Sequence, residues 1–257
     1  MNVKAKKHLG QHFLTDENIA KKIVEGLDFQ PYKYVLEVGP GTGVLTKYLL
    51  EKPTETYVAE IDTESIEYLK LHYQKLENKH FTGDFLKINL SDVFSGEVAI
   101  IGNFPYNISS QILFKIIENY QQIPEMVGMF QKEVAERTAA VPRTKDYGIL
   151  SVLVQAYYDV KYLFTVHENV FNPPPKVKSG VIKLTRNRKE GLEGNEILFK
   201  QIVKTGFGQR RKKLSNALKS LDIPEVLKSH AFMDKRAEEL SVEDFINFTK
   251  EWKAAKN

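Results

Sequence analysis

Tyr34-Val-Leu-Glu-Val-Gly-Pro-Gly-Thr-Gly43 decides the fold. An apolar run the length of one buried strand ends in three glycines, and a helical pattern follows at Leu45–Leu50. Glycine in such a turn lets the backbone approach a ligand where any Cβ would clash. Outward from this loop the alternation repeats. Thr56–Ile61 and Val98–Ile101 read as buried strands, and Glu64–Leu76 and Ser109–Tyr120 as helices. Such alternation predicts parallel strands with crossover helices, an open α/β sheet. A helix over Thr15–Leu27 precedes it, with Ile19, Ile23, Val24 and Leu27 on one face and Thr15 or Asp16 as cap.

After Pro142 the pattern continues with a helix near Ile149–Tyr157. The runs Val160–Val166 and Gly180–Thr185 then predict an antiparallel end to the sheet. The polar, glycine-marked stretch Arg186–Asn195 is the expected linker. Beyond it the chain reads helical, anchored by Ile197/Val203, Leu214/Leu218/Leu221 and Phe245/Phe248/Trp252. The expected division is a catalytic domain over residues 1–188 and a helical one over 189–257.

Composition narrows the chemistry. The chain has 257 residues, 37 basic and 33 acidic side chains (+4), and no cysteine. That forbids disulfides, thiolate zinc sites and cysteine nucleophiles. No apolar run approaches the roughly 18 residues of a membrane span. The basic start, Lys4, Lys6 and Lys7, leads into polar residues rather than a signal-peptide core. A cytoplasmic protein with no membrane partner is expected. His8 and His12 have the i, i+4 spacing of zinc ligands, but Gly10 lies between them and no Glu follows His8, so no metal is expected.

The glycines fall at Gly39-x-Gly41-x-Gly43, and Val44 stands where a dinucleotide fingerprint needs its last glycine. Together with Glu37, this form resembles the first motif of S-adenosylmethionine-dependent methyltransferases; a purely structural turn is the alternative. Glu60 ends the second strand, where a carboxylate can accept from both ribose hydroxyls. Asp84, in Thr82-Gly-Asp-Phe85, follows the next strand, near where a carboxylate can take the adenine amino group. Singly these are ordinary surface acids, but on consecutive strand ends they point to one cofactor site.

A fourth strand ends in Asn103-Phe104-Pro105-Tyr106. Asparagine and proline are common turn residues, which is one account. The chemical account explains each position. The exocyclic amine of adenine is a poor nucleophile, its lone pair delocalised into the ring. Two acceptors on its hydrogens, the Asn103 side-chain oxygen and the Pro105 carbonyl, favour a tetrahedral nitrogen. Tyr106 offers a face for the base, worth roughly 1–3 kcal/mol.

At this point the sequence resembles the ribosomal RNA adenine N6,N6-dimethyltransferases, most nearly the KsgA type that acts on the small subunit. Lys7-His-Leu-Gly-Gln-His-Phe-Leu14 is similar to that family's N-terminal signature, which implies that His12 and Leu14 touch the cofactor. Gly39, Gly41, Glu60, Asp84 and Asn103 match its cofactor motifs in order. Phe171-Asn-Pro-Pro-Pro-Lys-Val177 is similar to a later motif, and the resemblance implies that Phe171 stacks on the target base opposite Tyr106. Phe207-Gly-Gln-Arg-Arg-Lys-Lys-Leu214 is similar to a segment specific to the small-subunit branch. Phe104 departs from the commoner leucine or isoleucine. The resemblance implies a Rossmann-like class I methyltransferase with a smaller all-helical C-terminal domain. It also implies S-adenosyl-L-methionine as cofactor and methylation of two adjacent adenines in a hairpin of small-subunit rRNA.

From Lys200 to Leu218 there are six basic residues (Lys200, Lys204, Arg210, Arg211, Lys212, Lys213) and no acid, a local +6. This is a solvated helix face or a phosphate-binding surface, and beside a base-modifying site the second reading makes Arg210, Arg211, Lys212 and Lys213 RNA ligands. The expected partners are small-subunit rRNA and the pre-mature small ribosomal subunit, bound by a monomer. Four alternatives stay open: a large-subunit dimethyltransferase of the macrolide-resistance type, a DNA adenine methyltransferase, a protein-glutamine methyltransferase, and a mainly non-catalytic assembly factor.

Overall fold

The computed structural model describes residues 3–76 and 80–256, with residues 80–82 described by backbone alone. In chain order its elements begin with β1 (Phe13–Leu14), α1 (Glu17–Val24), β2 (Tyr34–Val38), α2 (Thr46–Leu49), β3 (Glu55–Glu60), α3 (Thr63–His72) and β4 (His80–Thr82). There follow α4 (Leu90–Val93), β5 (Val98–Asn103), α5 (Ser109–Glu118), β6 (Glu125–Gln131), α6 (Lys132–Ala139), α7 (Ile149–Gln155), β7 (Tyr158–Val166), β8 (Phe171–Asn172) and β9 (Ser179–Arg186). The chain closes with α8 (Glu196–Gly208), α9 (Leu214–Ala217) and α10 (Val242–Ala254).

Local chemistry explains the bounds. Asp16, not Thr15, caps α1, accepting from the amides of Asn18 (2.9 Å) and Ile19 (3.0 Å). The helix buries Ala20, Ile23 and Val24. Tyr34–Val38 and Val98–Ile101 are almost wholly buried, as strands covered on both faces must be, and so read as unbroken apolar runs.

The main sheet has the order β4-β3-β2-β5-β6-β9-β7. Pairing is parallel from β4 through to β6, and β9 lies antiparallel to β6. The chain builds outward from β2 to β3 and β4, then crosses to β5 on the other side. That reversal opens a crevice at the carboxyl ends of β2 and β5, where open α/β sheets bind ligands. A separate two-stranded pairing joins β1 to β8, with Phe13 opposite Asn172 and Leu14 opposite Phe171. Strand β6 was not read from the sequence.

Two compact units emerge. One comprises residues up to Glu136 and Val160–Arg186; the other, Arg137–Asp159 and the chain from Asn187. The sequence division near 188 places Arg137–Asp159 with the sheet instead. Its bonds explain the difference. Tyr147 is fully buried, donates to the Leu240 carbonyl (2.9 Å) and meets the Phe207 ring edge-on. The Arg143 amide donates to the Glu238 carbonyl at 2.8 Å. In this unit α8 packs on α7 and α10 around Phe199, Val203, Phe245, Phe248 and Trp252. No helix among the described residues is long and apolar enough to cross a membrane.

Phe104 has a steric explanation. Gly102 and Gly128 are register partners on β5 and β6, and the buried Phe104 ring lies over both. A Cβ on Gly128 would come within 2.1 Å of that ring, and one on Gly102 within 2.9 Å. Two glycines thus make the space in which a ring replaces a smaller side chain. Gly128→Ala is expected to cost about 1–3 kcal/mol in urea unfolding, by overpacking. Phe104→Leu in the same chain should recover much of the loss. An equal cost in both backgrounds would rule out this contact as the cause.

Candidate active site

A cleft of about 490 Å³, its solvent-open mouth included, lies at the carboxyl ends of β2, β3 and β5. Leu9–Phe13 form one wall, and Gly39, Gly41, Glu60, Ile61 and Asn103–Tyr106 form the rest. Of the residues expected from the sequence, it gathers His12, Gly39, Gly41, Glu60, Asn103, Pro105 and Tyr106.

The glycine loop is shaped by what presses on it. Gly41 (φ +55°) and Gly43 (φ +82°) are left-handed. A Cβ on Gly41 would lie 2.8 Å from the Phe13 ring, and one on Gly43 2.5 Å from the Tyr73 ring, so both need glycine twice over. Beside Gly39 a Cβ would touch nothing within 4 Å, which leaves the loop open there.

Glu60 is buried and accepts three backbone amides, from Ile61 (2.8 Å) and Asp62 (2.9 Å) on Oε1 and from Gly41 (3.1 Å) on Oε2. A carboxylate has about four lone-pair sites, so Oε2 keeps one. Burial pushes its pKa up, and the three amides pull it back. Glu37, buried one strand away, accepts the Thr46 hydroxyl at 2.6 Å. With that single hydrogen bond against complete burial, its pKa is pushed up to about 8.

Asn103 carries the geometry that matters most. Its Nδ2 donates to the His12 backbone carbonyl at 2.8 Å. A carbonyl can only accept, so the amide nitrogen must face it and Oδ1 is left for the cleft. The Pro105 carbonyl accepts the Ile108 amide at 3.3 Å, while the Ser109 hydroxyl, 3.4 Å away, has its one proton nearer the Tyr106 carbonyl at 3.1 Å. One of its lone pairs is therefore available. The Tyr106 ring stacks on His12 (centroids 5.6 Å apart, planes at 30°), and its hydroxyl pairs with Ser179 Oγ at 2.6 Å. Burial pushes the Tyr106 phenol up, so it stays neutral. His12 Nδ1 lies 2.8 Å from the Pro173 carbonyl, which places the ring proton on Nδ1.

Three residues expected at the site are not among those lining the cleft. Phe171 is 4% exposed and packs into the apolar core with Val24, Leu45 and Val181, so it presents no open face to a base. Leu14, its cross-strand partner, is buried in the same core. The alternation along β1 turns Phe13, not Leu14, toward the glycine loop. Asp84 accepts the Leu86 amide (3.0 Å), lies 3.7 Å from Lys87 Nζ, and does not line the cleft. Sequence reasoning missed Phe13, Gln11 and Ile61. The last had a signal: an apolar residue directly after Glu60, left 53% exposed at the cleft.

In the helical unit the basic run divides. Arg210 pairs with Glu238 (2.6 Å) and donates to the carbonyls of Lys145 (2.7 Å) and Thr144 (3.0 Å). Those bonds tie its guanidinium to the fold, unlike those of its exposed neighbours. Lys213 is exposed and pairs with Asp234 at 2.9 Å. Arg211 and Lys212 are exposed.

The model of the family described as ribosomal RNA adenine dimethylase matches residues 2–254. The chain is 59% identical over 253 residues to ribosomal RNA small subunit methyltransferase A of Flavobacterium johnsoniae, covering 98% of this chain and 97% of that one. Against the protein of the same name from Cytophaga hutchinsonii it is 57% identical over 249 residues, 96% of each. Among solved structures, a dimethyladenosine transferase from Plasmodium falciparum superposes with a TM-score of 0.84 at 27% identity, over 95% of this chain and 98% of that one. The 23S rRNA methyltransferase ErmE shares the fold, with a TM-score of 0.68 at 24% identity over 94% and 99%.

Glu37 gives the site a pH signature. Between its ordinary value of 4.5 and about 8, the unfolded chain carries Glu37 ionised and the folded chain carries it protonated. The folded state then binds more protons, so this group's contribution to stability falls as pH rises across that window. Glu37→Gln should remove the decline, and its Tm should gain on the wild type as pH rises from the lower value to the upper. A constant Tm difference across the window would show that Glu37 is ionised in the fold.

Proposed function

The chain belongs to the ribosomal RNA adenine dimethylase family, and from that premise we propose its reaction. It transfers methyl groups from S-adenosyl-L-methionine to the N6 amines of two adjacent adenines in a hairpin of small-subunit rRNA. The product is N6,N6-dimethyladenosine, formed on the pre-mature small subunit during its biogenesis. One observation carries this reading: Asn103 Nδ2 is committed to the His12 carbonyl, which leaves Oδ1 for the cleft that Pro105 also lines.

The cleft fits the cofactor. Glu60 Oε2 retains a lone pair for a ribose hydroxyl, the space beside Gly39 is open, and Ile61 exposes apolar surface at the same end. His12, Gly39, Gly41, Glu60 and Asn103 would hold it. When bound, S-adenosylmethionine supplies an electrophilic methyl group on a sulfonium.

The chain's own residues then have to orient an amine. Asn103 Oδ1 and the Pro105 carbonyl accept the two N6 hydrogens and draw the nitrogen toward tetrahedral geometry, freeing its lone pair. Each methylation costs the nitrogen one proton, released to solvent, so the monomethylated amine keeps one N–H and a single acceptor serves the second transfer. Tyr106, held by Ser179 and His12, limits where the base can lie. The acceleration comes from positioning and preorganised dipoles rather than from a tuned acid or base. We assign the phosphate contacts to Arg211 and Lys212 in the helical unit.

The decisive experiment incubates the protein with labelled S-adenosylmethionine and either undermethylated small subunits or large subunits, followed by nucleoside mass spectrometry. Dimethyladenosine on small-subunit RNA alone is expected; label only on large-subunit RNA or on protein would overturn the assignment. Asn103→Ala should slow transfer by about 100-fold or more while RNA binding persists. A joint Arg211→Ala, Lys212→Ala variant should flatten the salt dependence of RNA binding by about one unit of slope per lost phosphate contact, with Tm unchanged. Arg210→Ala should instead lower Tm.

A further inference from the structure

We propose that Asp62 is a positioning residue for the methyl transfer: it fastens the segment Lys6–His12 beside the cofactor end of the cleft, and through it sets the Asn103 amide. The inference rests on reading the cleft as a S-adenosylmethionine site.

Asp62 caps α3, is 2% exposed and, unlike Glu60, does not line the cleft, so its role is not that of a ligand. As a helix cap it needs only local donors, and it has them: the Glu64 amide (3.1 Å) and the Ser65 hydroxyl (3.2 Å). Yet its carboxylate takes two more from far away in sequence, Lys6 Nζ at 2.5 Å and Gln11 Nε2 at 3.1 Å. Glu64 also lies 3.3 Å from Lys6 Nζ, so the lysine is held by two carboxylates.

Lys6 and Gln11 are the two ends of one small loop. The Lys6 amide donates to Gln11 Oε1 (2.8 Å), and the backbone turns at Gly10 (φ +65°). Both ends of that loop therefore converge on one buried carboxylate. The next residue after Gln11 is His12, whose carbonyl receives Asn103 Nδ2 at 2.8 Å and whose ring bonds the Pro173 carbonyl at 2.8 Å. Among the described residues, the loop's polar contacts with the rest of the fold are made at Asp62 and its neighbour Glu64 on one side and at His12 on the other. Release of the Asp62 end leaves the His12 carbonyl, and with it the direction of Asn103 Oδ1, set from one side only.

Asp62 is joined to the cofactor side as well. Its own amide donates to Glu60 Oε1 (2.9 Å), and the same carboxylate receives the Gly41 amide on Oε2 (3.1 Å). One residue thus connects the acid expected to hold the ribose, the glycine loop and the segment that orients the catalytic amide.

The test separates capping from fastening. Asn caps a helix about as well as Asp, so Asp62→Asn keeps α3 while losing the charge that holds Lys6. Lys6→Met leaves the cap intact, Lys6→Arg restores the cation, and Ser65→Ala removes a local contact only. Asp62→Asn and Lys6→Met should each raise the Kd for S-adenosylmethionine and lower kcat at saturating cofactor, each by about tenfold, with Tm retained. The double variant should be no worse than either single one. Lys6→Arg should recover most of the kcat, and Ser65→Ala should leave both constants unchanged. Unchanged kcat in Lys6→Met, or additive losses in the double variant, would overturn the proposal. A wild-type chain that binds no S-adenosylmethionine would remove the functional reading and this inference with it. Wild-type binding with variants equal to it removes this inference alone.

Discussion

Parallel strands that end in step are the constraint on which the site depends. β3, β2 and β5 lie side by side, with Val38 opposite Ala59 and Glu37 opposite Ile101. Adjacent strands sit about 4.8 Å apart, so the ends of β3 and β5 stand about 10 Å from each other with the glycine loop between. Glu60 closes one strand and Asn103 the other. The register delivers both to one edge. The Phe104 ring over its paired glycines then fixes how the chain leaves β5, and so where Pro105 and Tyr106 stand.

That edge was legible because of how parallel sheets are built. Strands covered on both faces read as unbroken apolar runs, and glycine or proline marks where they stop. Tyr34–Val38 and the Asn103–Tyr106 turn follow from those signals alone. β6 did not, because it starts with Glu125 and carries Gly128 in its middle. Glu125 is buried there by a network that no hydropathy pattern contains: Lys183 Nζ at 2.6 Å, the Tyr32 hydroxyl at 2.5 Å and the Asp28 amide. Two-residue strands carry no periodicity either, so the β1–β8 pairing, which buries Leu14 and Phe171 and turns Phe13 inward, could not be read in advance.

Charge shows the same limit. The sequence counts six cations from Lys200 to Leu218, but a count does not say which of them already has a partner. Arg210 meets Glu238 and two backbone carbonyls, and only the fold brings those groups together. Asp62 is the converse case. By sequence it is one more acid before a helix; in the structure it gathers donors from both ends of a loop some fifty residues away.

Perturbed titrating groups usually point to catalytic acids and bases. Here that inference would mislead. Glu37, Glu60 and Tyr106 are all shifted upward, and in each burial is the leading cause. Each is buried because it holds a piece of backbone or ring in place: Glu37 ties β2 to α2, Glu60 pins the glycine loop, and Tyr106 braces against Ser179. Methylation of an aromatic amine asks for acceptors aimed at two hydrogens, which an uncharged amide and a peptide carbonyl provide at any pH the fold survives. On the proposed assignment the chemistry resides in Asn103 and Pro105, which do not titrate at all. The shifted pKa values around them report burial, not a catalytic acid or base.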